Sequence, residues 1–131
     1  MKKDNKGFSL VELIIVIAIM AVLIGILAPQ YLKYVNRSRI STDLTNAEEI
    51  ATAVSAAIAD GTITAPAAGG TNATGNNDWI IANTAITRLE ASKVDNSLTA
   101  WVVEYNADGI VSITLGGKDI YPTPDAIWTL P

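Results

Sequence analysis

Residues 6–28, KGFSLVELIIVIAIMAVLIGILA, decide the architecture of this 131-residue chain. From Phe8 to Ala28 the stretch contains one charged residue, Glu12, and its 21 residues are about the number with which a helix spans a bilayer. A run this rich in Leu, Ile and Val predicts a helix that inserts into a membrane. Because an ionised carboxylate costs roughly 2.5–3.5 kcal/mol at the centre of such a helix, we expect Glu12 to have a function.

Two ordinary explanations of this apolar run leave part of it unexplained. A cleaved secretory signal has 7–15 apolar residues followed by a small-residue cleavage site. Here the run is longer, and Pro29 follows Ala28 directly. A plain signal anchor accounts for the length and for the basic residues before the run, but it leaves Glu12 without a role.

A third explanation uses the whole string. Residues 6–12, KGFSLVE, resemble the K-G-F-[ST]-L-x-E signature of type IV pilins and pseudopilins, and the resemblance extends over residues 1–60. It implies that a prepilin peptidase cleaves between Gly7 and Phe8 and methylates the new amino group of Phe8. It also implies that Glu12 acts in assembly, where it pairs with the methylated amine of a neighbouring subunit. The resemblance divides the chain into a leader (1–7), a transmembrane and filament-core helix (8–29) and an extracellular globular domain (30–131).

Beyond Pro29 the apolar residues are confined to one side of a helix. Their spacing of three and four residues predicts an amphipathic helix that packs on a core. The predicted stripe consists of Ile40, Leu44, Ala47, Ala51, Val54 and Ile58. Residues between them, including Asp43, Glu48 and Glu49, are expected to face away from the core.

We expect a single helix from Phe8 to about Asp60, with Gly61 as its stop signal. Proline lacks an amide hydrogen, and its ring clashes with the carbonyl group four residues earlier. Gly25 and Pro29 therefore predict a kink in this helix.

The remaining residues predict loops and a small sheet, which makes the fold α+β: a long N-terminal helix against an antiparallel sheet. Glycine-rich residues 61–78 predict a loop, and residues 83–92 a short helix. Residues 99–105 and 110–115 predict a β-hairpin with Asp-Gly in its turn at 106–109. A second turn is expected at 116–119 before residues 120–121, and a final edge strand at 126–130.

Composition excludes several kinds of chemistry. The chain has no Cys and no His, which rules out Ser-His-Asp and Cys-His catalysis, thiol redox chemistry, disulfides and His- or Cys-ligated zinc. The adjacent Glu48 and Glu49 point in different directions on a helix, and nothing activates Ser112 or Lys118 as a nucleophile. Asp108 lacks the alternating carboxylates of a calcium loop. We therefore predict no catalytic residue, metal or cofactor.

Charged and aromatic residues suggest further contacts. Lys33, Arg37 and Arg39 suit lipid headgroups, beside Tyr31 and Tyr34 at the membrane boundary, or acidic groups of neighbouring subunits after assembly. The net charge of −4 argues against a general affinity for DNA. At least two of the three tryptophans are expected in the core.

The resemblance predicts a structural subunit, stored as a single-pass precursor in the cytoplasmic membrane and polymerised with itself into an extracellular filament for adhesion, motility or surface interaction. Its implied partners are the membrane lipid, the prepilin peptidase and methyltransferase, and an assembly ATPase with its membrane platform. The absence of cysteine favours a Gram-positive source. The alternatives are a pseudopilin of a type II secretion or DNA-uptake machine, and a monomeric signal-anchored binding domain.

Overall fold

A computed structural model describes residues 7–67 and 70–129. Residues 1–6 of the predicted leader, residues 68–69 of the predicted loop and Leu130 of the predicted final strand lie outside the described residues. The chain divides into two compact units, Met1–Val35 and Asn36–Pro131, each of which is described by itself.

Helix α1 spans Leu10–Ala59, which confirms the predicted helix to within two residues at either end. Its backbone is helical at every residue, including Gly25 and Pro29. In the first unit, every large apolar side chain from Phe8 to Leu32 is at least half exposed. This part of the chain therefore buries no core of its own.

In the second unit, α1 contributes one face to the core. The buried apolar residues of this face are Ile40, Ala47, Ile50, Ala51, Val54 and Ala57, with Leu44 and Ile58 partly buried beside them. The predicted stripe is confirmed. The predicted stop is confirmed too, because Gly61 has a φ of 83° and its N–H donates to the Ile58 carbonyl at 3.3 Å, as the C′ residue of a helix cap does.

Four antiparallel strands form a sheet in the order β1-β2-β3-β4. The strands are β1 (Ala73–Asn76), β2 (Trp101–Asn106), β3 (Gly109–Leu115) and β4 (Lys118–Tyr121), and helix α2 (Asn77–Asn83) lies between β1 and β2. The α+β prediction is confirmed, because residues of α1 and of the sheet share one core.

The predicted turn at 106–109 is confirmed. The second turn is confirmed at Gly116 and Gly117, whereas Lys118 and Asp119, also expected in it, already belong to β4. Asn106 pairs with Gly109 across the β2–β3 turn. Gly116 and Gly117, between β3 and β4, have φ angles of 61° and 80°, in the left-handed region that favours glycine.

Two predictions between α1 and β2 are wrong. Residues 73–78, expected in a loop, form β1 and the start of α2, because β1 pairs with β2 about thirty residues later and the Asn76 side chain accepts the Trp79 N–H at 3.0 Å as a helix cap. Residues 83–92, expected as a helix, are not helical beyond Asn83. Their apolar residues Ile86 and Leu89 instead pack on the core from irregular backbone.

The predicted edge strand at 126–130 is also wrong. Residues Ala126–Trp128 form a short 3₁₀ helix that directs the Trp128 side chain into the core. Trp101 is equally buried, so the prediction of at least two core tryptophans is confirmed. Trp79 is partly buried and stacks on Tyr105, with ring centroids 5.1 Å apart.

Candidate functional site

The predicted cleavage site lies just before the first helix. Gly7, Phe8 and Ser9 are not helical, and the Phe8 side chain is 93% exposed. Among the described residues other than its chain neighbours, no atom lies within 4 Å of the point where a Cβ on Gly7 would stand. The Gly7–Phe8 peptide bond lies before the first residue of α1.

Glu12 closes the first turn of α1 through a capping box. The Ser9 N–H donates to the Glu12 carboxylate at 2.9 Å, and the Glu12 N–H donates to the Ser9 hydroxyl oxygen at 3.2 Å. The Glu12 carboxylate therefore lies beside the backbone N–H of Ser9, the residue that follows Phe8. Among the residues that the structure describes, no basic side chain forms an ion pair with Glu12.

The apolar segment after Glu12 is the one helical stretch of the described chain that is long and apolar enough to cross a membrane, by length and composition. None of the residues in its most apolar window is buried. Lys33, Arg37 and Arg39, which follow it, are exposed, as are Tyr31 and Tyr34.

Asp43 is a fully buried carboxylate that we expected on the solvent side of α1. It accepts hydrogen bonds from the Ser92 hydroxyl (2.6 Å), the Lys93 N–H (2.6 Å), the Trp128 indole N–H (2.9 Å) and the Val94 N–H (3.3 Å). The expectation was wrong because these donors come from distant segments that cover the helix. The signal was present in the spacing, since Asp43 lies three residues after Ile40 and four before Ala47, within the apolar stripe.

The other residues considered for chemistry occupy structural or exposed positions. Glu48, Glu49 and Lys118 are exposed. The Ser112 hydroxyl donates to Glu104 across the sheet at 3.3 Å, and the Asp108 N–H donates to the Asn106 side chain within the hairpin turn at 2.8 Å. Within residues 7–67 and 70–129, no three acidic side chains are arranged to hold a metal ion.

Hydrogen bonds and burial shift three titratable groups. The Ser97 hydroxyl and N–H lower the pKa of Asp95, and the Thr62 hydroxyl and N–H lower the pKa of Asp60. Burial raises the pKa of Tyr105.

Comparison with known families identifies the N-terminal segment. The family described as "Prokaryotic N-terminal methylation motif" matches residues 2–28. This range contains the predicted cleavage site, the capping box and the apolar run. No solved structure matches the chain.

Individual relatives match somewhat less than half of the chain. The type IV major fimbrial protein FimA of Dichelobacter nodosus is 41% identical over 61 residues, which are 47% of this chain and 39% of the relative. A fimbrial protein of Pseudomonas aeruginosa is 39% identical over 59 residues, or 45% and 38% of the two chains. A probable minor fimbrial protein of Dichelobacter nodosus is 44% identical over 62 residues, or 47% and 39%.

These matches confirm the predicted resemblance to type IV pilins. The chain spans about two-fifths of the length of the relatives it matches. The relatives come from Gram-negative bacteria, so they give no support to the Gram-positive source that the absence of cysteine suggested.

Proposed function

We propose that this chain is the structural subunit of a type IV pilus, made as a single-pass membrane precursor and polymerised into an extracellular filament. One observation carries the proposal: the methylation motif at residues 2–28 includes a helical segment whose large apolar side chains are all exposed. A segment of this kind needs lipid before assembly and the corresponding segments of other subunits afterwards.

In this proposal a prepilin peptidase removes residues 1–7 and methylates the amine of Phe8. The non-helical backbone at residues 7–9 supports the cleavage step, because the scissile bond lies before the first residue of α1. Gly7 leaves the bond without steric cover from its own side chain. The leader stays in the cytoplasm, and residues 30–131 lie outside the membrane.

Glu12 would then set the register between subunits. In a filament core built from residues 8–29, its carboxylate is surrounded by aliphatic side chains and requires a cation. The methylated amine of Phe8 in a neighbouring subunit supplies that cation. The capping box supports this role, because it holds the carboxylate at the start of the helix, beside the end that cleavage creates.

Growth of the filament requires an assembly ATPase and a membrane platform, which we infer from the resemblance to type IV pilins. A finished filament would serve adhesion, motility or surface interaction.

Electron microscopy and mass spectrometry of sheared cell-surface material test the proposal. We expect long filaments whose subunit begins at Phe8 and carries one added methyl group. A mature chain that begins after Ala28 would overturn the proposal. Correct processing with only short, cell-bound fibres would identify a pseudopilin instead, and a processed or unprocessed monomer would identify an anchored binding domain.

A further inference from the structure

A cationic groove lies on one flank of α1 in the second unit. Its volume is about 530 Å³, and it is lined by Ser38, Arg39, Thr42, Lys93, Val94 and Asn96. Buried Asp43 accepts the backbone N–H groups of Lys93 and Val94, so the loop side of the groove is fixed to the helix. These hydrogen bonds hold both sides of the groove within the folded unit.

The two cations of this groove are unusual for the unit around them. Between residues 36 and 131 there are eleven acidic and five basic side chains, and no basic residue lies between Arg39 and Arg88. Arg39 forms no ion pair within the described residues. The Lys93 ammonium group contacts Glu90 at 3.4 Å, but Glu90 also binds Arg88 at 2.9 Å.

Asp95 is the other carboxylate of the same loop, and it already accepts hydrogen bonds from the Ser97 hydroxyl and N–H. Arg39 thus has no acidic partner among the described residues, and a carboxylate from another chain would supply one.

A carboxylate suited to this groove stands on the opposite flank of the same helix. Glu48 follows Arg39 by nine residues, which on an α-helix is half a turn around the axis and ~14 Å along it. Glu48 is exposed and lines a second groove of about 550 Å³ that also includes Leu44, Trp128 and, towards its other end, Arg37. Within the described residues, no cation lies within ion-pair distance of Glu48.

We propose that the groove lined by Arg39 and Lys93 receives the Glu48 carboxylate of a second copy of this chain. The inference rests on the proposed function, which brings copies together. Since donor and acceptor lie on opposite flanks of one helix, a chain cannot satisfy its own groove, and each contact leaves one groove and one Glu48 free. Such a heterologous contact propagates, as an open filament requires.

Charge reversal in the full chain tests the contact. We expect Arg39→Glu to lower the yield of sheared filaments at least tenfold while the precursor still accumulates and is cleaved. Adding Glu48→Arg to the same chain should restore most of the yield, because the pair is re-formed with its charges exchanged.

Two matched variants control for charge alone. Lys118→Glu changes an exposed cation that neither lines the groove nor pairs with Glu90, and it should leave the yield unchanged. Glu49→Arg lies one residue beyond Glu48, 100° around the helix, and should not rescue Arg39→Glu. Rescue by Glu49→Arg, or a normal yield from Arg39→Glu alone, would overturn the contact.

Cysteine cross-linking gives a measurement that does not depend on yield, because the natural chain has no cysteine. A chain with Arg39→Cys and Glu48→Cys cannot close an internal disulfide, since the two Cα atoms are separated by twice the ~7 Å limit for a bridge. A bis-maleimide with a spacer shorter than ~14 Å, which replaces the length of the two removed side chains, should therefore cross-link filaments into a ladder of dimers, trimers and larger species. The pair Arg39→Cys and Glu49→Cys should give monomer.

The outcomes distinguish this contact from the proposed function. Filaments of the double-cysteine chain without a ladder would overturn the contact alone. If the unmodified chain forms no filaments, both the proposed function and the contact are overturned.

Discussion

Asp43 is a buried carboxylate, and its contribution to the stability of the fold follows from the groups that donate hydrogen bonds to it. Asp43→Ala would leave the Trp128 indole N–H, the Ser92 hydroxyl and the Lys93 N–H without an acceptor, and each buried unsatisfied group costs about 1–3 kcal/mol. We expect the free energy of unfolding to fall by roughly 3 kcal/mol or more. Thermal or denaturant unfolding of the chain in detergent, followed by tryptophan fluorescence, measures the loss.

The exposed Glu49 provides the control for this measurement. Glu49→Ala removes a carboxylate from the same helix and should change stability by less than about 0.5 kcal/mol. Equal stabilities of the Asp43→Ala and Glu49→Ala variants would show that the buried hydrogen bonds do not hold the unit together.

Glu12 carries the second prediction at this scale. Glu12→Val removes a charge from the apolar segment, so the precursor should insert and be cleaved, yet it should give few or no filaments. The physical reason is that the amine of Phe8 in the neighbouring subunit would lose its partner in an apolar medium. Immunoblots of cleaved subunit beside counts of sheared filaments measure the two steps separately.

Glu49→Val is the matched control, because it makes the same substitution on the exposed side of the second unit. A normal filament count from Glu12→Val would rule out the pairing. It would favour a carboxylate that merely extends to the membrane surface.

At the scale of elements, Gly75 of β1 allows a close contact with Trp79 of α2. A Cβ on Gly75 would stand 1.9 Å from a ring carbon of Trp79, so the strand and the helix approach each other only because this residue has no side chain. Gly75→Ala must displace the Trp79 ring from its stack on Tyr105, and we expect a loss of about 1–3 kcal/mol in stability.

Chemical denaturation compares this variant with Thr74→Ala, an exposed neighbour on the same strand. We expect Thr74→Ala to remain within about 0.5 kcal/mol of the parent chain. If the two variants lose the same stability, the close approach of the ring contributes nothing.

The Gly25–Pro29 segment of α1 carries the prediction for the first unit. The backbone is helical at both residues, and Pro29 still removes one donor and crowds the Gly25 carbonyl. We expect the helix to bend between residues 25 and 29, and to lose hydrogen bonds there when it packs in a filament. A filament map by cryo-electron microscopy checks this, and a straight, fully helical segment would contradict it.

Elements with local signals could be predicted from the sequence, and elements defined by distant contacts could not. The β2–β3 hairpin follows from the Asp-Gly turn, and the end of α1 follows from Gly61. By contrast, β1 has the composition of a loop and becomes a strand only by pairing with β2. The sequence of residues 126–128 is typical of a strand, but the segment forms a 3₁₀ helix in which the buried Trp128 indole donates a hydrogen bond to Asp43.

The candidate functional residues also fall into a group with a local sequence signal and a group defined by distant contacts. The processing motif and Glu12 are contiguous along the chain, so the order of residues alone was enough to recognise them. The cationic groove could not be recognised in that way, because Asp43 brings Lys93 beside Arg39 from more than fifty residues away.

For the molecule as a whole, the globular unit should fold without the apolar segment. A fragment that begins near Gln30 keeps Ile40, Ala47 and Ile50, which are buried against the sheet. We expect it to be a soluble monomer with mixed helix and strand in its circular dichroism spectrum. A fragment that begins at Ala51 lacks these residues as well as Asp43, and it should expose the sheet face and aggregate. Equal solubility by size-exclusion chromatography would contradict the shared core.

The bond between Asp43 and Trp128 joins residues 85 positions apart. Asp43 leaves the ribosome early, whereas the indole that completes its hydrogen bonds is translated much later. A polypeptide truncated before Trp128 retains a carboxylate that lacks one of its donors, and its core lacks the largest side chain supplied by the C-terminal segment. We expect such a product to be less stable than the full chain and to be digested faster by an added protease. The hydrogen bond thus makes the stability of the globular unit depend on a residue translated near the end of this sequence.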